Sequence, residues 1–145
     1  MIKICIQVEA GSCDVNQYAE KTLEFKETIR VSFPYPYPYG FILETNAEDG
    51  DNLDCYLITQ ERLKPGVIVE CEPIGLLEQR EDEEVDHKIL AAMPGQDVLV
   101  SQKLLQELQD FIYAVFATYP DVDVCVGPIL SREAALHHIQ ACREA

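Results

Sequence analysis

Three aspartates within six residues, Asp49, Asp51 and Asp54, are the side chains of this chain best suited to chemistry. Carboxylates within about 4–6 Å of one another disfavour each other's ionisation, so such a group needs a cation or open solvent. Gly50 between the first two allows the backbone to turn sharply. The residues after Asp54 predict a β-strand, which would hold the last carboxylate on a rigid element. Oxygen ligands in this arrangement suit a hard divalent cation.

The same acidic segment also fits a solvated turn, which is the ordinary role of an acidic loop. A calcium-binding helix–loop–helix motif fits poorly, because a loop that starts at Asp49 places Gln60 where that motif needs a glutamate. Spacing alone therefore leaves both metal binding and a solvated turn open, and the neighbouring segments must decide between them.

The charge of the whole chain excludes several classes of partner. The 145 residues include 26 acidic and 11 basic side chains, which gives a formal net charge of −15. Nucleic-acid binding needs a basic footprint, and docking on an anionic membrane needs basic residues too. Cations, or partners with basic patches, remain as ligands. Acidity that serves solubility alone does not explain why the carboxylates cluster at 48–54 and 81–86.

Length and hydropathy indicate one globular domain, residues 1–145, with 48% hydrophobic residues. No apolar run approaches the roughly 18 residues that a membrane span requires. The N-terminus alternates like a strand and lacks the layout of a secretory signal. No two of the six cysteines stand in C-x-x-C spacing, so no zinc site is indicated. We therefore expect a soluble cytoplasmic protein with reduced thiols.

Periodicity along the chain predicts mostly short strands followed by helices. We expect strands over 2–8, over 23–31 with an irregularity, and near 53–58, 66–72, 73–79, 87–92 and 122–126. Apolar residues at helical spacing predict a helix over 102–118 with Ser101 as its N-cap, and Ser131 caps a final helix. The expected fold class is α+β and mostly β, a small closed or curled OB-like β-barrel with two main helices packed outside.

Several segments in a fixed order carry a family resemblance: Tyr35-Pro-x-x-Tyr39-Gly40-Phe41-Ile42, Asp49-Gly-Asp-x-x-Asp54, Pro65-Gly66, Pro73-Ile74-Gly75-Leu76-Leu77 and Asp86-x-Lys88-Ile-Leu-Ala91. In order and spacing they resemble the soluble inorganic pyrophosphatases of the Mg²⁺-dependent, barrel-fold type. The likeness continues more weakly through both predicted helices and so covers most of the chain.

The resemblance implies a role for each matching residue. Asp51 would be the general base on the attacking water. The implied metal ligands are Asp49, Asp54 and Asp86, completed by Glu81 and Asp82, which stand in exchanged order where the family has an acidic pair. The implied substrate-binding residues are Tyr39, Lys88, Tyr119 and, through a shift in its loop, Arg30. The resemblance further implies Mg²⁺, or Mn²⁺, as cofactor, pyrophosphate as substrate, and a homo-oligomer, since bacterial members are usually hexamers.

Departures from the family pattern fall mainly on its cationic phosphate clamp. Pro120 follows Tyr119 where the family has a lysine, and Glu27 falls at the position of an arginine. The remaining departures are Gln7 for a glutamate, Gln17 and Ala19 for a lysine and a glutamate, and Asn52 for a proline or glutamate.

Two functions therefore stay open. One is a Mg²⁺-dependent pyrophosphatase, slow or with a shifted phosphoanhydride substrate. The other is a catalytically degenerate relative that binds metal or a partner through the same fold. The discriminating residue is Arg30, because an arginine that reaches the phosphate site would favour the enzyme.

Overall fold

The sheet begins where apolar residues alternate most regularly, in β1 (Ile2–Val8). The computed structural model describes residues 1–47 and 49–144. Within them the further strands are β2 (Asp14–Tyr18), β3 (Phe25–Arg30), β4 (Tyr39–Ile42), β5 (Asp54–Leu57), β6 (Ile68–Glu81), β7 (Glu84–Val85), β8 (Lys88–Ala92) and β9 (Val124–Leu130). The helices of the same residues are α1 (Gln102–Phe116) and α2 (Arg132–Ala141).

One strongly curled sheet joins most of these strands in the order β1-β4-β5-β8-β6-β7, with β9 also paired to β6. β1 pairs with β4 on one side and with the first part of β6 on the other, so the strand path returns to its start. The pairing of β5 with β8 is parallel, whereas the other pairings are antiparallel. β2 and β3 form a separate two-stranded hairpin. The expected class, mostly β with two helices, is confirmed.

Both helices start at the serines that the sequence indicated. The Ser101 hydroxyl accepts a hydrogen bond from the Leu104 amide, and the Ser131 hydroxyl accepts one from the Ala134 amide. These bonds satisfy backbone donors that have no partner inside the helix. α1 ends at Phe116, two residues before the predicted end, and Pro120 lies beyond it.

Two groups of buried side chains fill the fold. One lies inside the curl and is covered by Ala135 and Ile139 of α2. The other joins the sheet to α1 through Leu104, Leu108 and Ile112, and it includes aromatic rings that reach the candidate site. No helix within the described residues is long and apolar enough to cross a membrane.

One strand prediction is wrong in detail. Segments 66–72 and 73–79 were expected as separate strands, but β6 runs without interruption through Pro73. Proline has no amide to donate, and the pairing of β6 with β8 shifts register between Pro73 and Gly75, so the strand accommodates it. The strand expected over 23–31 with an irregularity is confirmed as β3, whose register shifts between Phe25 and Glu27; it is the second arm of a hairpin whose first arm, β2, shows weak alternation.

Candidate functional site

Lys88 lies at the centre of the candidate site because of how β5 and β8 pair. The two strands run parallel, and their first residues, Asp54 and Lys88, are direct partners. β4 pairs with the other side of β5 and places Tyr39 opposite Tyr56, two residues along from Asp54 and on the same face of the sheet. Asp86 stands two residues before Lys88, so four polar side chains meet at one end of the sheet.

The Lys88 ammonium donates to three oxygens. Its Nζ lies 2.7 Å from Asp54 Oδ2, 3.0 Å from Asp86 Oδ2 and 3.1 Å from Tyr39 Oη. The side chain of Lys88 is 7% exposed, and those of Asp54 and Asp86 are each 24% exposed. A lysine is rarely this buried without charge partners, and here two carboxylates supply them.

Burial and charge act in opposite directions on these groups. Burial would lower the pKa of Lys88, but Asp54, Tyr39 and Asp86 together raise it well above its usual value. Burial also raises the pKa of Asp54, against the effect of the adjacent ammonium. Burial disfavours charge on Asp86 as well, yet Lys88 and a hydrogen bond from Glu81 outweigh it and lower that pKa. The site thus keeps one carboxylate readily ionised and makes the ionisation of its neighbour costly.

Aromatic rings form one wall of the site. The Tyr39 ring lies 5.1 Å from that of Tyr35 and 4.8 Å from that of Tyr56, and Tyr35 lies 4.6 Å from Phe111 of α1, centroid to centroid. Burial raises the pKa of Tyr35 to about 12, and a smaller contribution comes from Tyr119, which places that partly exposed tyrosine nearby. The phenols of Tyr35, Tyr39 and Tyr56, whose pKa values are all raised by burial, remain protonated and can donate hydrogen bonds at neutral pH.

A small cavity of about 160 Å³ lies between this aromatic wall and α1. Its lining combines aromatic and apolar side chains with three polar ones, Gln79, Glu81 and Lys88. Two larger clefts, of about 460 and 630 Å³, are both lined by Tyr37. Their lining residues include none of the Lys88 group, so the smaller cavity is the better candidate for chemistry.

Of the two predicted ligands at the end of β6, the structure brings only Glu81 to the site. Glu81 shares a hydrogen bond with Asp86, and burial followed by this carboxylate raises the Glu81 pKa to about 7. Asp82 has a φ of 50° in the turn after β6, and its carboxylate accepts from the Asp123 amide at 2.8 Å. That bond directs Asp82 away from Lys88.

Asp49 and Asp51 are exposed on the loop before β5. The Asp49 carboxylate accepts a hydrogen bond from the Asp51 amide at 3.0 Å, and Gly50 adopts a φ of 88° between them. Only glycine takes this left-handed conformation readily, which explains its place in the motif. The loop therefore carries two accessible carboxylates beside the half-buried Asp54.

Two functional candidates that the sequence analysis missed lie at the tip of the β2–β3 hairpin. The first is Glu20, whose carboxylate accepts from the Asn52 amide at 2.8 Å. Burial raises the Glu20 pKa to about 7, and the carboxylates of Asp54, Asp51 and Asp49 raise it further against the effect of that bond. Glu20 therefore faces the acidic loop. The resemblance places the family's glutamate at Ala19, so the position that could have indicated Glu20 lies one residue before it.

Lys21 is the second missed residue. Its Nζ donates to the Thr45 carbonyl at 2.8 Å, to Asn46 Oδ1 at 2.9 Å and to Asn52 Oδ1 at 2.6 Å, and it also pairs with Glu144. One ammonium of the hairpin thus contacts both ends of the acidic loop, at Asn46 and at Asn52, and the C-terminal segment at Glu144. Asn52, although a departure from the family motif, is buried and held by these bonds.

Arg30 does not join the Lys88 group. It pairs with Asp14 at 3.2 Å, and its side chain is 76% exposed. Direct cross-strand partners share a face of a hairpin, so Arg30 and Asp14 lie on one face, and the neighbouring partners Val15 and Ile29 lie on the other. Val15 is buried with Tyr39 in the core, so its face is the one directed at the site and Arg30 points away.

The side-chain oxygens around Lys88 are of the types that bind hard divalent cations. Among residues 1–47 and 49–144, no three acidic, histidine or cysteine side chains converge closely enough to hold an ion as they stand. However, the groups available at this end of the sheet are oxygens of carboxylates and of one amide, and Gln79 Oε1 is buried without a partner within the same residues. Mg²⁺ and Ca²⁺ take oxygen ligands of these types.

Comparison with known proteins connects this geometry to one family. The family model for inorganic pyrophosphatase matches residues 4–145. The inorganic pyrophosphatase of Nanoarchaeum equitans is 42% identical over 86 residues, which are 59% of this chain and 54% of that protein. The chain thus spans about half the length of this relative. The inorganic pyrophosphatase of Methanosarcina mazei is 30% identical over 97% of this chain and 89% of its own length.

A solved structure agrees over nearly the whole chain. The inorganic pyrophosphatase from Thermus thermophilus superposes with a TM-score of 0.86 and 30% identity. The superposition covers 97% of this chain and 87% of the Thermus chain.

Proposed function

Because the chain belongs to the inorganic pyrophosphatase family, we propose that it hydrolyses inorganic pyrophosphate to two phosphates and uses divalent cations, Mg²⁺ or Mn²⁺, to do so. The observation that carries this proposal is the Lys88 ammonium, which is held by Asp54, Asp86 and Tyr39 beside a tyrosine-lined cavity. A buried cation next to carboxylates provides both a contact for an anionic substrate and the oxygens that a metal needs.

The carboxylates divide into two roles in this proposal. Asp49, Asp54, Asp86 and Glu81 would hold the cations. When bound, such ions neutralise the phosphoryl oxygens and lower the pKa of an attacking water. Asp51 is exposed on the loop, adjacent to these groups, and would accept the proton of that water. Asp82 belongs to the implied ligand set by resemblance only, because its carboxylate accepts from the Asp123 amide.

Lys88 and the phenols act on the substrate's charge. The negative charge of pyrophosphate moves to the leaving phosphate during hydrolysis, and a preorganised cation stabilises it. Lys88 is suited to this role because its three contacts restrict its ammonium. Tyr39 and Tyr119 would add hydrogen-bond donors through their phenol hydroxyls.

A second candidate function is a non-catalytic relative that retains metal binding. The observation that favours it is the hairpin, whose site-facing side carries Val15 and Ile29, while Arg30 points away. Pro120, where the resemblance expects a lysine, is exposed and supplies no charge. Each lost charge-stabilising donor costs about 10²–10³ in rate, although losses in one site are rarely additive.

Phosphate release from pyrophosphate, with and without Mg²⁺, decides between the two. We expect release that requires Mg²⁺ and falls in Glu81→Gln. Asp82→Asn is the matched control, because the adjacent carboxylate contacts the Asp123 amide instead of the site. Absence of release in the parent at saturating Mg²⁺, together with a Mg²⁺-dependent rise in melting temperature, would favour the non-catalytic relative. A ligand at 100 times its Kd stabilises the fold by about 2.7 kcal/mol.

We propose that residues 1–145 act as one domain, that the protein works in the cytoplasm, and that it forms a homo-oligomer. Phe25 on β3 is 55% exposed, and its ring offers a contact for another copy. Sedimentation at micromolar concentration checks the oligomer, and a monomer there would contradict it.

A further inference from the structure

Gln79 carries a feature that the proposed reaction does not use. The residue lies on β6, is 2% exposed, and lines the cavity next to Glu81 and Lys88. Its backbone is firmly held, because the Gln79 amide donates to His87 Nδ1 at 3.1 Å and its carbonyl accepts from the Asp86 amide at 2.9 Å. The side chain therefore projects from a fixed point of the sheet.

The orientation of the Gln79 amide is determined by Glu81. Gln79 Nε2 donates to Glu81 Oε2 at 3.0 Å, which requires the NH₂ end to face that carboxylate. Gln79 Oε1 is then left buried, and no donor within residues 1–47 and 49–144 reaches it. A buried acceptor without a partner destabilises a fold, so the protein is expected to satisfy it with a group that the polypeptide does not supply.

The surroundings restrict what that group can be. Glu81 is hydrogen-bonded to Asp86, so an amide oxygen and two carboxylates stand together. An acceptor-only oxygen, such as one of an ionised phosphate, cannot satisfy Gln79 Oε1, which needs a donor or a cation. A divalent cation is attracted by all three groups, and hard cations accept amide oxygens and carboxylates as ligands.

We propose that Gln79 Oε1 is an oxygen ligand, directly or through one water, of a divalent cation shared with Glu81 and Asp86. The inference rests on the proposed function, because it adds a residue of this chain to the same metal-dependent site. Gln79 then offsets the exchanged order of the acidic pair: Asp82 turns away to Asp123, and the amide two residues before Glu81 supplies an oxygen in its place.

The test is Gln79→Met, which keeps the length of the side chain and removes the oxygen. Calorimetric titration with Mn²⁺ should show one class of site weakened by about 10–100-fold, the range for the loss of a supporting ligand. The metal-free variant should melt at a higher temperature than the parent, because the unpartnered acceptor is gone. Gln79→Glu should retain Mn²⁺ affinity or increase it. Gln109→Met is the matched control, since that glutamine donates to the Val126 carbonyl outside the cavity.

The Gln79 variants distinguish a metal ligand from a residue that only packs. Unchanged Mn²⁺ affinity in Gln79→Met, with a lower metal-free melting temperature, would make Gln79 a packing residue and overturn the inference. Weakened binding in Gln79→Glu would overturn it too, and this variant decides the question if Gln79→Met fails to fold. Pyrophosphate hydrolysis is measured separately on the parent: its absence would refute the proposed function, while a Mn²⁺ site sensitive to Gln79 would still stand.

Discussion

Replacing Lys88 with methionine tests the arrangement on which the proposed function depends. The substitution keeps an unbranched side chain of similar length in β8 and removes the ammonium. Asp54 and Asp86 are then left without the cation that each contacts, at 2.7 and 3.0 Å. Two half-buried carboxylates are left to repel one another, and Tyr39 loses its donor.

The expected magnitude follows from burial. Lys88 is 7% exposed and its carboxylate partners are each 24% exposed, so solvent screens the pair only in part. Removing one partner of a buried ion pair costs about 3–5 kcal/mol, and the loss of a charge-stabilising donor costs about 10²–10³ in rate. We therefore expect Lys88→Met to lower the metal-free stability by this amount and kcat by this factor. Mg²⁺ should stabilise the variant more than the parent, since it supplies the missing charge.

The effect of Lys88→Met on stability depends on pH, and the direction of this dependence follows from the pKa of Asp86. In the parent, Lys88 helps to lower the pKa of Asp86, so the stabilisation from that carboxylate is present at neutral pH and is lost as the pH falls through its lowered pKa. Without Lys88 the pKa of Asp86 rises, and the folded variant takes up protons more readily. The stability difference between parent and variant should therefore shrink as the pH falls from 7 towards about 4, where an ordinary aspartate takes up its proton.

Urea unfolding of both proteins, with and without Mg²⁺ and across this pH range, measures these effects. Lys103→Met is a control, because Lys103 is an exposed lysine in the first turn of α1. A Lys88→Met variant that is as stable as the parent without metal, and that releases phosphate at the parent's rate, would refute the reasoning.

Three further predictions concern the loop and the clamp. Asp54→Asn should weaken Mn²⁺ binding in calorimetry more than Asp51→Asn, because Asp54 is half-buried beside Lys88 while Asp51 is exposed. Equal losses of affinity would show that the roles of metal ligand and general base are misassigned. Lys21→Met should lower Mn²⁺ affinity, because the Lys21 ammonium holds both ends of the acidic loop through Asn46 and Asn52. The free energy of unfolding should fall by only about 0–1 kcal/mol, since Lys21 is 48% exposed. Lys21→Arg should restore the affinity in the same titration. Pro120→Lys should raise kcat/KM for pyrophosphate, measured at fixed free Mg²⁺, because a cation beside Tyr119 favours the developing phosphate charge; no gain in a parent already turning over at ~10² s⁻¹ would mean that the clamp is complete without it.

Local features of the fold follow from the amino-acid sequence alone. Alternation predicts β1, short aliphatic runs predict the strands at Asp54 and Lys88, and helical spacing after Ser101 and Ser131 predicts both helices. The acidic motif and its flanking segments indicate the family that the comparisons show. These signals succeed because each depends on neighbours a few residues apart, whose spacing is the period of a strand or helix.

The choice between adjacent carboxylates was beyond the sequence. Glu81 and Asp82 are chemically similar neighbours, and both were expected to bind metal. The turn after β6 gives Asp82 a positive φ, and the Asp123 amide takes its carboxylate, so only Glu81 reaches Asp86. Which of the two faces the site depends on a contact with a residue 41 positions away.

The partners of the charged groups were likewise decided by tertiary structure. Lys88 meets Asp54 because two strands 34 residues apart in the chain pair in parallel with one particular register, and Lys21 meets Asn52 across 31 residues because the hairpin tip contacts the acidic loop. A shift of one residue in such a register turns a side chain to the opposite face of the sheet. Arg30 shows the result, since its type suits a phosphate while its register directs it to Asp14. Residue types and local periods are properties of the sequence itself, whereas registers arise from hydrogen bonds between distant segments that form together only in the folded chain.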